Sequence, residues 1–221
     1  HELLGSRILE GNDFEPTWRN MISLKNALWL HDHKVFSDVV FPCAGYIAMV
    51  GEAVRQLTKA DDFSIRYLNI GSAMILNDDK KVEIITTFKH LRLSTASGSE
   101  WYEFSIYSHN GNTWTKHCDG QAKGGKDQEM AEPQVPGNPA QLPREITSPY
   151  AIFTRIVLHY GQNSQDLRNV PPLPGKKKSV ASLAPPPATG SAYSLHPTTI
   201  DQCLQLLGLA SADGLAYSFQ H

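Results

Sequence analysis

The sequence has few cysteines, almost no net charge and no long apolar run, and each absence excludes a class of protein. Its three cysteines, Cys43, Cys118 and Cys203, stand far apart without CxxC spacing, so neither a disulfide framework nor a zinc site is predicted. The formal net charge is -2 at pH 7. That balance argues against a nucleic-acid-binding surface, because phosphate binding requires clustered Lys and Arg.

No apolar stretch approaches the roughly 18 residues that span a membrane, and no signal peptide opens the chain. We therefore expect no membrane contact and reduced thiols in the cytoplasm. Hydrophobic residues make up 41% of the 221 positions and charged residues 19%, which is ordinary for a globular protein with a core. The first residue is not Met, so the sequence is expected to be a piece of a longer protein.

The first 125 residues are predicted to form strands around one helix. Two stretches alternate apolar and polar residues with the period of a half-buried strand, residues 81–93 and 101–109. Asn110-Gly111, between the second of these and residues 113–123, is a hairpin signal. Shorter strands are predicted at 18–24 and 35–41, and one further run at 63–76. Pro42 suits the first turn of a buried helix over 43–57, which is apolar around much of its surface.

The composition changes to Gly, Lys, Glu, Pro and Gln near residue 124, which indicates a linker over 126–147. A second unit is predicted over 148–221, and it is short enough to look incomplete. Residues 149–158 favour a helix, and a proline-rich stretch covers 171–190. A last helix is predicted to start at Thr198 or Thr199, either of which can cap it, with Ile200, Leu204 and Leu207 facing inward.

Three motifs carry the chemistry. In the first, His33 and Pro42 fit H-x3-G-x4-P, with Ser37 in the place of the glycine. In the second, Asp201 and Gln205 fit D-x3-Q, directly after Leu195-His196-Pro197. The third, Y-G-P-x-F-Q, is met in part by Tyr160, Gly161 and Gln165, while Gln162 and Ser164 depart from it.

With the opening HELLG, the WRN at 18–20 and the Gly45-Tyr46 pair, these motifs resemble the dehydratase domains of fungal, highly reducing polyketide synthases. The resemblance implies an α+β double hotdog, in which each antiparallel sheet wraps one central helix. It also implies a lyase within a multifunctional enzyme of secondary metabolism, which removes water from a β-hydroxyacyl thioester to give the trans-α,β-enoyl thioester. The substrate would be carried on the phosphopantetheine of an acyl carrier protein, with no cofactor in this domain; the sequence leaves open whether the domain is a monomer or a homodimer.

The residues suit these roles. An imidazole with an ordinary pKa of about 6.5 can be neutral and act as the base, which we assign to His33. Asp201 is assigned as the acid, which requires a raised pKa; the helix dipole lowers it, while an apolar tunnel raises it, and we expect burial to prevail. Gln205 lies one helical turn on and can hold the carboxyl. The backbone N–H groups of Cys43 and Ala44 are candidates to polarise the thioester carbonyl.

Pro42, Tyr46, Tyr160 and Gly161 are expected to support the site. Tyr160 either forms a hydrogen bond near the site or ends a helix before Gly161. His31 is expected to be structural, and the His31-Asp32-His33 run is not expected to bind metal.

Two other functions stay open: a catalytically silent hotdog scaffold, and a cyclisation domain of the product-template kind. Ser37, Gln162 and Ser164 leave room for an altered substrate range or reduced activity.

Overall fold

The computed structural model describes residues 1–9, 14–92, 98–127, 150, 153–154, 158–161, 164–165, 167–168, 181–183, 193 and 195–218. The elements of these residues, in chain order, are β1 (Ser6–Arg7), β2 (Thr17–Ile22), a 3-10 helix (Leu28–Asp32), β3 (His33–Val35), β4 (Asp38–Val40), α1 (Cys43–Thr58), β5 (Phe63–Ile70), β6 (Ile75–Leu76), β7 (Val82–Arg92), β8 (Gly98–His109), β9 (Trp114–Gly124), β10 (Leu158–Tyr160), β11 (Leu167–Arg168), β12 (Ser182–Leu183) and α2 (Pro197–Ser218). None of the helices in this described part is long and apolar enough to cross a membrane.

A six-stranded antiparallel sheet forms the main layer, in the order β1-β2-β7-β8-β9-β5. The alternation predicted for β7 holds, because Ile84, Thr86 and Phe88 are buried while the residues between them are only partly covered. The β8–β9 hairpin turns at Asn110-Gly111, where Gly111 has a φ of +100°. The apolar face of this sheet packs on α1.

Helix α1 is buried along most of its length. Pro42 precedes it as the N-cap residue with an extended backbone, so the helix proper begins at Cys43. Its two glycines allow aromatic rings to lie against the helix backbone. A Cβ on Gly45 would lie 2.6 Å from the ring of Phe41, and one on Gly51 would lie 2.4 Å from the ring of Phe63. These contacts compensate for the low helix propensity of glycine.

A second, four-stranded antiparallel sheet has the order β10-β3-β4-β6. The single strand predicted over 35–41 was wrong: the pairs Lys34–Val39 and Val35–Asp38 fold it into a hairpin, with Phe36 and Ser37 as the turn. The single run over 63–76 was wrong as well, because Gly71 to Met74 separate β5 from β6. Strand β10 pairs with β3, so the two halves of the chain share this sheet.

The second half departs from the prediction in three places. Leu158, expected at the end of a helix, is the first residue of β10. Helix α2 begins at Pro197 rather than at Thr198 or Thr199. Leu207, expected to face inward, is 64% exposed. Ile200 and Leu204 do pack against α1, on Ala44 and Ala48.

Most of the predicted linker and most of the proline-rich stretch lie outside the described residues.

Candidate active site

His33 stands where the 3-10 helix passes into β3, with an extended backbone. Its Nδ1 lies 2.8 Å from the carbonyl oxygen of Val40, across the β3–β4 hairpin. A carbonyl only accepts hydrogen bonds, so Nδ1 carries the proton and donates it. The lone pair of the neutral ring is therefore on Nε2, which has no partner among the described residues.

Asp201 lies in the second turn of α2 and is only 7% exposed. Burial raises its pKa above the usual value, while the nearby charge of His33 and a hydrogen bond from Gln205 act in the opposite direction. Burial prevails, which favours the protonated carboxyl. The electrostatic interaction places Asp201 and His33 in one neighbourhood, although they are 168 positions apart in the sequence.

Gln205 holds one side of this carboxyl. Its Nε2 donates to Asp201 Oδ2 at 2.8 Å and to the carbonyl oxygen of Ser164 at 3.1 Å. The Ser164 carbonyl accepts only, which fixes the orientation of the Gln205 amide, even though its buried Oε1 has no partner in the described residues. The held oxygen is Oδ2, so a proton on the carboxyl is left to Oδ1.

Tyr160 is near both His33 and Asp201. It is opposite His33 in the β10–β3 ladder, and the two ring centroids are 5.8 Å apart. Burial raises the pKa of the Tyr160 phenol, and the charges of Asp201 and Tyr150 raise it further. Its hydroxyl is therefore a hydrogen-bond donor rather than a phenolate. Of the two interpretations left open by the sequence, the helix end is wrong, because Tyr160 ends a strand.

Gly161 brings β10 against the residue that precedes His33. Its N–H donates to the carbonyl oxygen of Asp32 at 2.8 Å, and its carbonyl accepts from the N–H of Ser164 at 3.0 Å. A Cβ on Gly161 would lie 1.9 Å from Oδ1 of Asp32. A side chain here would therefore have to displace the Asp32 side chain, whose Cβ would itself lie 2.8 Å away.

The start of α1 faces the same neighbourhood. The pKa of the Cys43 thiol is raised by burial and by the charge of Asp201, which shows that Cys43 is near the carboxyl. The carbonyl of Pro42 accepts from the N–H groups of Gly45 and Tyr46. The N–H groups of Cys43 and Ala44 have no acceptor among the described residues, as expected at a helix N-terminus without a side-chain cap.

Two other predicted residues lie apart from the pair. Tyr46 is buried in the core with its ring 4.8 Å from that of Phe41, and its hydroxyl has no partner in the described part of the chain. His31 points elsewhere: its Nε2 lies 2.6 Å from Oδ1 of Asp78. Among the described residues no group of three or more His, Cys, Asp or Glu side chains is arranged to hold a metal ion.

Sequence reasoning missed three contributions. Ser164 was noted only as a departure from a motif, yet its backbone carbonyl holds Gln205. Val40 fixes the tautomer of His33 through its carbonyl, which no side-chain pattern reveals. His196 was noted only as part of the segment before the helix. Its Nδ1 accepts from the N–H of Thr198 at the start of α2. The available signal for this cap was the proline that follows His196, because proline is common at the first residue of a helix.

An antiparallel sheet wrapped on a buried helix is the arrangement of a hotdog fold, and here a histidine from one half of the chain lies near an aspartic acid from the other half. Comparison with known proteins agrees with this class. Residues 1–109 match the family described as the polyketide synthase dehydratase domain, and residues 130–220 match the family described as the polyketide synthase dehydratase N-terminal domain. The chain belongs to the polyketide synthase dehydratases, as its motifs predicted.

Similar proteins include the highly reducing polyketide synthase gloL of Glarea lozoyensis, 42% identical over 97% of this chain and 8% of that protein. The highly reducing polyketide synthase ALT1 of Alternaria alternata is 44% identical over 98% of this chain and 9% of that protein. The chain thus spans less than a tenth of the length of these relatives. The dehydratase domain from the CurF module of the curacin polyketide synthase has a TM-score of 0.79 at 21% identity, covering 95% of this chain and 76% of that one. The predicted α+β double hotdog is confirmed.

Proposed function

We propose that this protein removes water from a β-hydroxyacyl thioester and releases the trans-α,β-enoyl thioester. One observation carries the proposal: the buried Asp201, whose pKa is raised, lies within reach of the charge of His33. Dehydration needs a base for the α-proton and an acid for the departing hydroxyl. Two titratable groups whose environments separate their protonation states provide that pair.

His33 acts as the base. Its Nδ1 proton is committed to the Val40 carbonyl, so Nε2 takes the proton from the α-carbon. The hydrogen bond also fixes the plane of the ring, because the acceptor belongs to the neighbouring strand β4. When Nε2 takes this proton, the His33 ring becomes an imidazolium near Asp201. The Asp201 carboxyl, which loses its own proton in the reaction, becomes a carboxylate of opposite charge.

Asp201 acts as the acid. With Oδ2 held by Gln205, Oδ1 donates its proton to the β-hydroxyl as the C–O bond breaks and water leaves. The new carboxylate is stabilised by the imidazolium of His33, so one proton has moved from the substrate's α-carbon to the base and another from the acid to water. The Tyr160 hydroxyl, which burial and the charge of Asp201 keep protonated, would donate a hydrogen bond to the substrate hydroxyl or to the carboxylate.

Negative charge develops on the thioester oxygen as the α-proton leaves. The unpaired N–H groups at the start of α1, those of Cys43 and Ala44, are donors for that oxygen. They belong to a buried helix whose dipole favours a negative charge at this end. Pro42 sets the direction of this helix start by its extended backbone.

We further propose that the substrate is carried on the phosphopantetheine of an acyl carrier protein, and that this domain uses no cofactor of its own. The names of the relatives support a place among the domains of a highly reducing polyketide synthase. A homodimer and a cytoplasmic location belong to the same proposal; the three free cysteines agree with a reducing compartment. In the dehydratase of the curacin CurK module, an Asp-to-Asn and a His-to-Phe mutant are each inactive.

The test is to incubate the purified protein with β-hydroxyacyl pantetheine thioesters of both hydroxyl configurations and to follow the loss of water by mass spectrometry. We expect turnover of one configuration, and none by a folded His33→Ala variant. His31→Ala is the matched control, since its ring pairs with Asp78 instead. A folded protein that dehydrates neither configuration contradicts the proposal and leaves the silent scaffold.

A further inference from the structure

His196 is the residue before α2, and its ring takes the place of a helix cap. Its carbonyl oxygen accepts from the N–H groups of Thr199 at 3.0 Å and Ile200 at 3.2 Å. Its Nδ1 accepts from the N–H of Thr198 at 3.3 Å and lies 2.7 Å from the Thr198 hydroxyl. N-caps usually place a short side-chain oxygen against the N–H of the second or third residue. Here an imidazole nitrogen makes that contact.

This contact requires a neutral ring. Nδ1 can accept from a backbone N–H only through its lone pair, so the ring proton belongs on Nε2. A second proton on Nδ1 would remove the lone pair that accepts from the Thr198 N–H and make Nδ1 a donor to the Thr198 hydroxyl oxygen, so the backbone cap would be lost. The buried setting agrees, since burial lowers the pKa of His196, while Glu2 acts in the opposite direction.

The ring also contacts the half of the protein that carries His33. Its centroid is 5.9 Å from that of Trp29, in the 3-10 helix that leads directly into His33. Tyr193 packs on it at 5.2 Å. The carboxylate of Glu2 accepts from Nε1 of Trp29 at 3.3 Å and from the hydroxyl of Tyr193 at 3.0 Å. Glu2 and Tyr193 are the titratable groups that face the ring from outside α2.

We propose that His196 is a positioning residue for Asp201: the neutral Nδ1 of its ring caps the start of α2, and protonation of the ring releases that cap. The inference rests on the proposed dehydratase function. Only the first turn of α2 separates the cap from Asp201. A displacement of the helix start would therefore also displace the carboxyl of Asp201. The helix that carries the acid and the 3-10 helix that leads into the base thus meet at one histidine.

Two substitutions separate capping from packing. His196→Asn keeps a short acceptor at the N-cap and cannot be protonated, whereas His196→Ala removes the acceptor. We expect kcat to fall about tenfold or more in His196→Ala and to stay within about threefold of the wild type in His196→Asn, with KM changed little in either. His90→Asn is the control, at a half-buried histidine on β7 whose ring packs on Tyr102 instead.

The pH profile adds a readout that a purely structural role would not change. As the pH falls through the range in which His196 is protonated, kcat of the wild type should fall below that of His196→Asn by up to the roughly tenfold loss expected for His196→Ala. His196→Asn, which cannot be protonated, should lack this additional acid loss. Equal losses of kcat in both variants, or the same acid limb in the wild type and His196→Asn, would overturn the proposal.

A titration of the Asp201 carboxyl by ¹³C NMR is independent of turnover. His196→Ala should shift its midpoint toward the ordinary value, because a loosened helix admits water, and His196→Asn should leave it unchanged. An unchanged midpoint in His196→Ala would refute positioning even in an active enzyme. A wild type without turnover contradicts the dehydratase assignment, while this titration still decides the role of His196.

Discussion

Tyr160 and His33 are directly opposite each other in the antiparallel pair of β10 and β3, with ring centroids 5.8 Å apart. This pair joins the second half of the chain to the strand that carries the proposed base. The residue after Tyr160 binds the backbone of Asp32, and Ser164, three residues further on, holds the amide of Gln205. A continuous path of short contacts thus connects His33 to Asp201.

Gln205 should matter through its donor. Gln205→Leu leaves the Ser164 carbonyl and Oδ2 of Asp201 without their N–H, at a cost of about 1–3 kcal/mol for each buried group left unpaired. We expect kcat to fall roughly 10- to 100-fold in turnover assays, with a smaller loss in Gln205→His, which keeps a ring N–H. Equal activity of the Leu variant and the wild type would remove Gln205 from the site.

Gly161 should tolerate no side chain. In Gly161→Ala the Cβ would lie 1.9 Å from the Asp32 carboxylate and 2.8 Å from the Asp32 Cβ, so Asp32 and the backbone that carries it must shift. We expect a loss of more than about 2 kcal/mol in the free energy of unfolding, measured by denaturant titration, together with reduced turnover. Gly71→Ala is the control, because a Cβ there meets nothing within 4 Å. Similar stability of the two variants would contradict this contact.

In the β3–β4 turn, Phe36 has a left-handed backbone with a φ of 54°, which is strained for a residue other than glycine. Its side chain is 67% exposed. Phe36→Gly should therefore be more stable than Phe36→Ala by roughly 0.5–1 kcal/mol, since both remove the ring and only glycine accepts the left-handed backbone cheaply. Ser37 has no such backbone, so Ser37→Gly should leave turnover unchanged. A marked gain of activity in Ser37→Gly would show that the serine does limit the His33 loop.

The burial of Asp201 should be visible in stability. A carboxyl whose pKa is raised on folding binds its proton more tightly in the folded state, so the free energy of unfolding falls as pH rises above the unfolded pKa of about 4. Asp201→Asn lacks this loss, so it should gain stability relative to the wild type as the pH rises from about 4 to the folded pKa of Asp201, and the gain should then level off at about 1.4 kcal/mol per unit of pKa shift. A stability difference that is constant across pH would contradict the raised pKa.

Much of the fold could be predicted because local patterns record it. The alternation in β7 and the Asn110-Gly111 turn depend on neighbouring residues only. The β3–β4 hairpin was missed because residues 35–41 are apolar enough to suggest one strand, and no glycine marks the turn at Phe36. The pairing of β10 with β3 could not be predicted, since it joins residues more than 120 positions apart.

The candidate site was predicted through side chains and missed where the backbone acts. His33, Asp201 and Gln205 are side-chain functions with a motif spacing, and the structure brings all three into one neighbourhood. The carbonyls of Val40 and Ser164 bind the base and the amide, and any residue type can supply a carbonyl. The cap at His196 was expected at a threonine, because histidine is not a usual N-cap residue.

The most direct test compares the rate of water loss from a β-hydroxyacyl thioester in four folded proteins: the wild type, His33→Ala, Asp201→Asn and the double variant. If His33 and Asp201 act as one acid–base unit, each single change should lower kcat by about a thousandfold or more, and the double variant should be little worse than either. A single variant within about tenfold of the wild type, or losses that multiply in the double variant, would contradict a shared site.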